Sequence, residues 1–359
     1  MKTRMLNYFI VMLLIMFAGL FLYNQPARLS DKEKSTMDSL FEKTKVQCIG
    51  RYVFDVPSTF INTQHASVMI NEYRIETQRM YPPAFEQMIN LRENELKVTE
   101  TIHSRDMPFL KKSIALENGQ NGVIFDRNES VSIPGYGRTL ETHFYHNGVA
   151  FTVTKNFDDL SDDKYSQDKA EYIEAGVSEK SFTLSSVQIR EMKNMLTTLS
   201  GRQDTDIPTI PGTCIADGYI SDDEKTKERM SLVYNTEYNI DFSIMTNNFL
   251  REKNSLLDRT GGVSEALSQI NGRIIKKEAS IINGIKVEEL LTVGEDTNGP
   301  GKLYQFMLMA NEKNTDFNNP ILSVSLNNYG PEESLLNEAQ IIDLWERITR
   351  SIRIRPGAF

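Results

Sequence analysis

Four histidines and two cysteines are the whole supply of soft metal ligands and ready general bases in these 359 residues. His143 and His146 form the one close histidine pair, and on a strand positions i and i+3 face opposite sides, so the pair is ill placed to share a metal. No Gly-x-Ser-x-Gly nucleophile elbow occurs, because Gly262-Val263-Ser264-Glu265-Ala266 lacks the second glycine. Residues 294–302 imitate a phosphate loop, but Lys302 is displaced and Leu303 stands where a Ser or Thr would hold magnesium, so the stretch is expected to be a hairpin turn. The run Asp158-Asp159-Leu160-Ser161-Asp162-Asp163 lacks the alternating ligands, central glycine and closing glutamate of a calcium loop. It is expected to be a solvated acidic loop that can meet a basic patch on a partner, and Asp222-Asp223-Glu224 permits the same reading. The candidate partner contacts are therefore Asp158, Asp159, Asp162, Asp163, Asp222, Asp223 and Glu224, with no catalytic, cofactor-binding or metal set. Cys48 and Cys214 occupy matching places in two similar stretches. They either bond to each other, tying two halves together in an oxidising compartment, or stay as separate buried thiols.

The elements that would carry these residues fall into two runs of the same order. Each begins with a β-type stretch, at residues 48–57 and 211–220. A helical stretch follows, at 84–97 behind Pro82-Pro83 and at 263–270. Strand-like segments come next, at 111–116, 122–127, 138–145 and 149–155, then at 273–281, 284–291, 302–309 and 321–326, with Asn121-Gly122, Asn147-Gly148 and Asn283-Gly284 as hairpin dipeptides. A helix closes each run, through Ile189, Met192, Leu196 and Leu199 behind the N-cap candidates Ser185-Ser186, and through Ile341, Trp345, Ile348 and Ile352. The expected fold is α+β: two tandem similar domains, each an antiparallel β-sheet packed with helices, at 47–203 and 213–359, with 204–212 as linker.

Ahead of them, residues 5–23 are almost wholly apolar and, as a helix, would reach roughly 28 Å, close to the hydrocarbon thickness of a bilayer. Residues 1–24 are therefore expected to be an N-terminal transmembrane helix, an uncleaved inner-membrane anchor with the body in the periplasm, and 25–46 a polar tether; a cleaved, soluble periplasmic form is the alternative. The net charge of −9 leaves no electrostatic footprint for nucleic acid.

Three motifs carry a resemblance: Cys48-Ile49-Gly50-Arg51-Tyr52-Val53-Phe54-Asp55-Val56-Pro57, Pro211-Gly212-Thr213-Cys214-Ile215, and Leu344-Trp345 followed by Ser351-Ile352-Arg353-Ile354-Arg355-Pro356-Gly357. From Gln47 to Phe359 the chain resembles the bacterial type VI secretion lipase-immunity proteins, which neutralise a Tle-type phospholipase effector. The resemblance implies a non-enzymatic periplasmic inhibitor without cofactor or small-molecule substrate. It implies two α+β domains that grip the effector like jaws and protect the producer from phospholipid hydrolysis. The motifs look structural, so no contact residue is carried over through them. A membrane-anchored periplasmic binding or envelope-assembly protein is the competing function.

Overall fold

Alternation of apolar and polar residues makes the sheet, and the paired hairpin turns set its register. The computed structural model describes residues 28–63, 66–117, 120–221, 226–297, 299, 301–328 and 332–359. The expected anchor, residues 5–23, and the acidic residues Asp222, Asp223 and Glu224 lie outside the described residues. Among the described residues no helix is long and apolar enough to cross a membrane.

The first half contains helix α1 (Asp31–Leu40), strands β1 (Thr44–Ile49), β2 (Tyr52–Pro57), β3 (Ile61–Asn62), β4 (Ser67–Ile70) and β5 (Tyr73–Arg79), and helix α2 (Pro82–Val98). Then come β6 (Leu110–Ala115), β7 (Asn121–Asn128), β8 (Gly137–His146), β9 (Val149–Asp158), α3 (Ser166–Glu174), α4 (Ser185–Leu196) and β10 (Leu199–Gly201). The second half repeats the plan with β11 (Gly212–Ile215), β12 (Gly218–Ser221), β13 (Glu228–Asn235), β14 (Asp241–Asn247) and a short α5 (Val263–Ser268). It ends with β15 (Arg273–Ile282), β16 (Ile285–Glu295), β17 (Lys302–Ala310), β18 (Ile321–Asn327), α6 (Glu338–Ser351) and β19 (Arg353–Ile354).

The two halves are similar, as the repeated order of elements implies, but their sheets are joined. A single sheet runs β15-β16-β17-β18-β14-β13-β4-β5-β9-β8-β7-β6, with β3 also on β13. Read outward from the β13–β4 pair, each side has the same topology, so the seam is a pseudo-twofold axis. The closing strands are exchanged across it. β10 follows the helix of the first half yet pairs with β12, and β19 follows the helix of the second half yet pairs with β2. Sequence periodicity reports which residues are buried but not which half buries them, so this exchange was invisible in the pattern.

One face of the sheet is the core. Tyr234, Phe242, Ile244, Phe306, Val324 and Leu326 are buried there under the β1–β2 hairpin and helices α4 and α6. Phe54 packs edge-on to Tyr234 at 6.2 Å between ring centroids, and Trp345 edge-on to Phe306 at 5.8 Å. Gly50 turns the β1–β2 hairpin at φ +54°, and a Cβ there would stand 2.5 Å from the Thr246 side chain, so the turn needs glycine twice over.

Two expectations change. Residues 25–46 are not a plain tether: Ser30 and Glu33 form a capping box for α1, Met37 is fully buried, and Asp38 pairs with Arg347 of α6 at 2.7 Å. One buried methionine on a polar helix is too weak a stripe to register as periodicity. Ser185 is also not the cap of α4. Leu184 holds the N-cap position, and the carboxylate of Asp159 accepts the Ser185 backbone N–H at 2.8 Å.

Candidate partner-binding trough

The opposite face of the sheet is largely uncovered in its middle. Cross-strand partners point the same way, so register traces that face: Glu141, Thr154, Arg74, Met69 and Arg229 make one row across β8, β9, β5, β4 and β13. Ser231, Met245, Ser323, Met309 and Glu288 make a second row across β13, β14, β18, β17 and β16. Val233, Ser243, Ser325 and Met307 lie beside them, with the two serine hydroxyls 2.7 Å apart. Apart from buried Glu141, these floor residues are half-buried or exposed. Between the charged ends Glu141, Arg74, Arg229 and Glu288 they are small or methionine, save Val233, in contrast to the aromatics beneath.

Two chain segments rise from this face and make walls. The first is α2, started by Pro82-Pro83 and seated through buried Phe85 and Leu96. Arg92 from this helix clamps the buried carboxylate of Glu141 at 2.7 and 2.8 Å. Arg127 adds a bond at 2.6 Å and His143 one at 3.0 Å. Burial pushes the Glu141 carboxyl up, but these partners outweigh it and hold it well below the usual carboxylate range. Leu91, i+3 from Met88, and Val98 remain 64% and 77% exposed on the helix. The second wall is the connection 248–272, where the Leu257 backbone N–H donates to Glu288 at 2.7 Å and Phe249 and Leu250 are exposed. Both walls follow equivalent strands, β5 and β14, so the pseudo-twofold places them on one face with a trough between.

The trough deepens where β4 begins. A cleft of about 560 Å³ opens there, lined by Asn62, Glu76, Gln78, Met88, Asp204 and Asp217 among others. Burial and the neighbouring charge of Asp204 raise the Asp217 carboxyl, while Arg79 at 2.6 Å opposes them.

Of the candidate partner contacts named from sequence, the four that are described fall elsewhere. Asp158 is exposed at the end of β9, and Asp162 accepts the Lys164 backbone N–H at 3.1 Å at the head of a turn opened by exposed Asp163. Asp159, between them, accepts at the N-terminus of α4, the helix that covers the core face. His143 points to the trough and bonds Glu141, whereas His146 stacks on Phe144 on the core side and accepts from the Gly201 N–H at 3.2 Å, as strand alternation requires. Cys48 and Cys214 are joined in a disulfide across the pseudo-twofold, beside the Gly50–Cys214 bridge that links β1 to β11. No sequence signal marked the trough floor, because serines and methionines that alternate with core residues look like any solvated sheet face.

Two adjacent family matches cover this body. Residues 45–202 match the Tle cognate immunity protein 4 N-terminal domain and residues 206–357 its C-terminal domain. The chain belongs to the Tle cognate immunity protein 4 family. Solved immunity proteins share its fold. The apo immunity protein TplEi of the type VI secretion system of Pseudomonas aeruginosa superposes with a TM-score of 0.68 at 20% identity, covering 90% of this chain and 100% of that one. A chain of the Tle4–Tli4 complex gives 0.67 at 20% identity over 88% and 98%. TplEi complexed with an "L" peptide gives 0.63 at 20% identity over 88% and 99%. No curated protein gives a significant sequence match.

Proposed function

We propose that this chain is a non-enzymatic immunity protein that binds a Tle-type phospholipase effector and blocks its activity, protecting the producing cell. Family membership supports the class, and the Tle4–Tli4 complex supports the kind of partner. The observation that carries the mode of binding is the uncovered sheet face between α2 and the connection 248–272. A wide floor of small and flexible side chains between two apolar-tipped walls suits a protein surface better than a small substrate. Methionines such as Met245, Met307 and Met309 can repack around a partner at little cost. In this reading the effector sits in the trough and touches both halves at once.

The proposed location is the periplasm, with residues 5–23 as an inner-membrane anchor that concentrates the inhibitor beside the lipid its partner attacks. An anchored chain and one solubilised in the periplasm by a cleavable export signal in place of residues 1–24 should then differ in protection at equal abundance, and equal protection removes that role for the anchor.

The direct test mixes the purified chain with the lipase encoded beside it and measures phospholipid hydrolysis. The expected result is a stable complex and loss of hydrolysis, with Ser243→Trp, which fills the floor, weakening both. Absence of binding at micromolar concentration overturns the immunity assignment. Full inhibition by Ser243→Trp would move the contact off the trough.

A further inference from the structure

The segment between the halves has the sequence of a hinge: Asp204 to Gly212 contains two prolines and no periodicity. The structure ties it down instead. Arg202, at the end of exchanged strand β10, is buried and donates through its Nη1 to the carbonyls of Gln203, Asp204 and Asp206 at 2.9, 3.0 and 3.3 Å. Its remaining nitrogens reach the carbonyls of Gly218 at 2.9 Å and Ile215 at 3.1 Å on the β11–β12 hairpin. Arg355, at the end of exchanged strand β19, does the same to the second part of the segment, donating to the carbonyls of Pro208, Ile210 and Gly212. The two arginines are equivalent under the pseudo-twofold. The Arg202 backbone N–H donates to the Asp217 carbonyl in the β11–β12 turn at 3.0 Å, and the Arg355 N–H to the Arg51 carbonyl in the β1–β2 turn at 2.8 Å. Six carbonyls of the ten residues 203–212 are thereby held by two buried guanidiniums, and a buried charge stripped of such partners is costly. Arg79, at the end of β5, also donates to the Arg202 carbonyl, so the grip reaches a strand of the sheet beside the seam.

We infer that Arg202 and Arg355 are positioning residues for partner binding: with the exchanged strands and the Cys48–Cys214 bond they lock the two halves into one frame, and the trough is preformed instead of closing like jaws. The inference rests on the trough reading of function but makes a claim about the free chain that stands without it. A fixed frame spends no binding energy on ordering two domains, so recognition depends on how well the effector fits a set width.

The test places spin labels on the two walls of the full chain, at Gln87→Cys and Glu265→Cys, and measures their distance distribution with and without the neighbouring lipase. The expected result is one narrow distance, unchanged by the lipase. Arg202→Met and Arg355→Met are expected to broaden it and to weaken lipase binding about tenfold or more, with Arg202→Lys restoring part of both. Leu308→Ala, a core change away from the segment, serves as a control for lost stability and should leave width and affinity unchanged. Should the arginine variants fail to fold, the Cys48→Ser/Cys214→Ser chain takes their place, with a smaller broadening expected. Two populations in the free chain, a distance that contracts on adding lipase, or variants no different from Leu308→Ala overturn the lock. A wild-type chain that shows one narrow distance but binds no lipase overturns the function and leaves the lock standing.

Discussion

The two halves share a topology and differ in the walls that rise from their trough faces. In the first half Glu141 is buried on the trough face beneath the seventeen-residue helix α2, while Asp126 is buried on the core face, where it accepts from Arg138 and from the Ser185 hydroxyl of α4. In the second half Glu289 is buried on the core face, held by Trp345 Nε1 at 3.0 Å, Arg350 at 2.8 Å and Lys276 at 3.2 Å beneath α6. Glu312 is buried under the 248–272 wall, accepting from the Leu256 N–H at 2.8 Å and from Arg259 at 2.6 Å. The trough wall of the second half is correspondingly slight, a connection with only a six-residue helix. A duplicated frame has thus kept its seam symmetric while its walls diverged. The seam answers to folding, which both halves need alike, and the walls answer to whatever fills the trough.

The largest expected effect breaks the Glu289 side of this comparison. Glu289→Ala leaves Arg350, Lys276 and the Trp345 N–H facing a void, and should cost about 3–5 kcal/mol in urea unfolding. Glu141→Ala should cost less: Arg92, 29% exposed, can turn to water as Arg350, 38% exposed, can, whereas the fully buried Trp345 N–H at Glu289 is left without an acceptor. Equal losses would mean that the two networks carry the same weight. Next, Cys48→Ser/Cys214→Ser should lower stability by about 2–4 kcal/mol, seen as an earlier urea midpoint.

Acid should act on both networks together. Glu141 and Glu289 are each held below their usual value of 4.5 despite burial, by the cations that face them. Their contribution is present in full above that value. It declines as pH falls below it, since the unfolded chain then takes up protons first, and it is gone below the folded values. Thermal unfolding midpoints should be flat from neutral pH to about 5 and fall beneath it, with Glu141→Gln flattening part of the fall. The smallest stability effects belong to the walls. Leu91→Asp/Val98→Asp should stay within about 0.5 kcal/mol of wild type while weakening lipase binding. Charge reversal at Asp162 and Asp163, at the turn that follows β9, should change binding less than the wall pair does; a larger change would put the partner over that loop.

Much of the frame was legible in the chain. The repeated order of strands and helices, the hairpins at Asn147-Gly148 and Asn283-Gly284 and the α6 stripe through Ile341, Trp345 and Ile348 follow from local periodicity and turn chemistry, which each segment carries by itself. The site was not legible, because its floor is made of residues that local pattern assigns to solvent. Met37 of α1 escaped for a related reason, since its burial depends on a helix three hundred residues later.

By itself, then, the sequence determined that this is a duplicated α+β chain with few groups for catalysis, a matched cysteine pair and three motifs of an immunity family. Which half each closing strand joins, that both sheets are one, that Arg202 and Arg355 grip the segment between the halves, and that a trough stays open on the far face were decided only in three dimensions. Periodicity encodes how deeply a side chain is buried, whereas these features depend on which distant partner buries it.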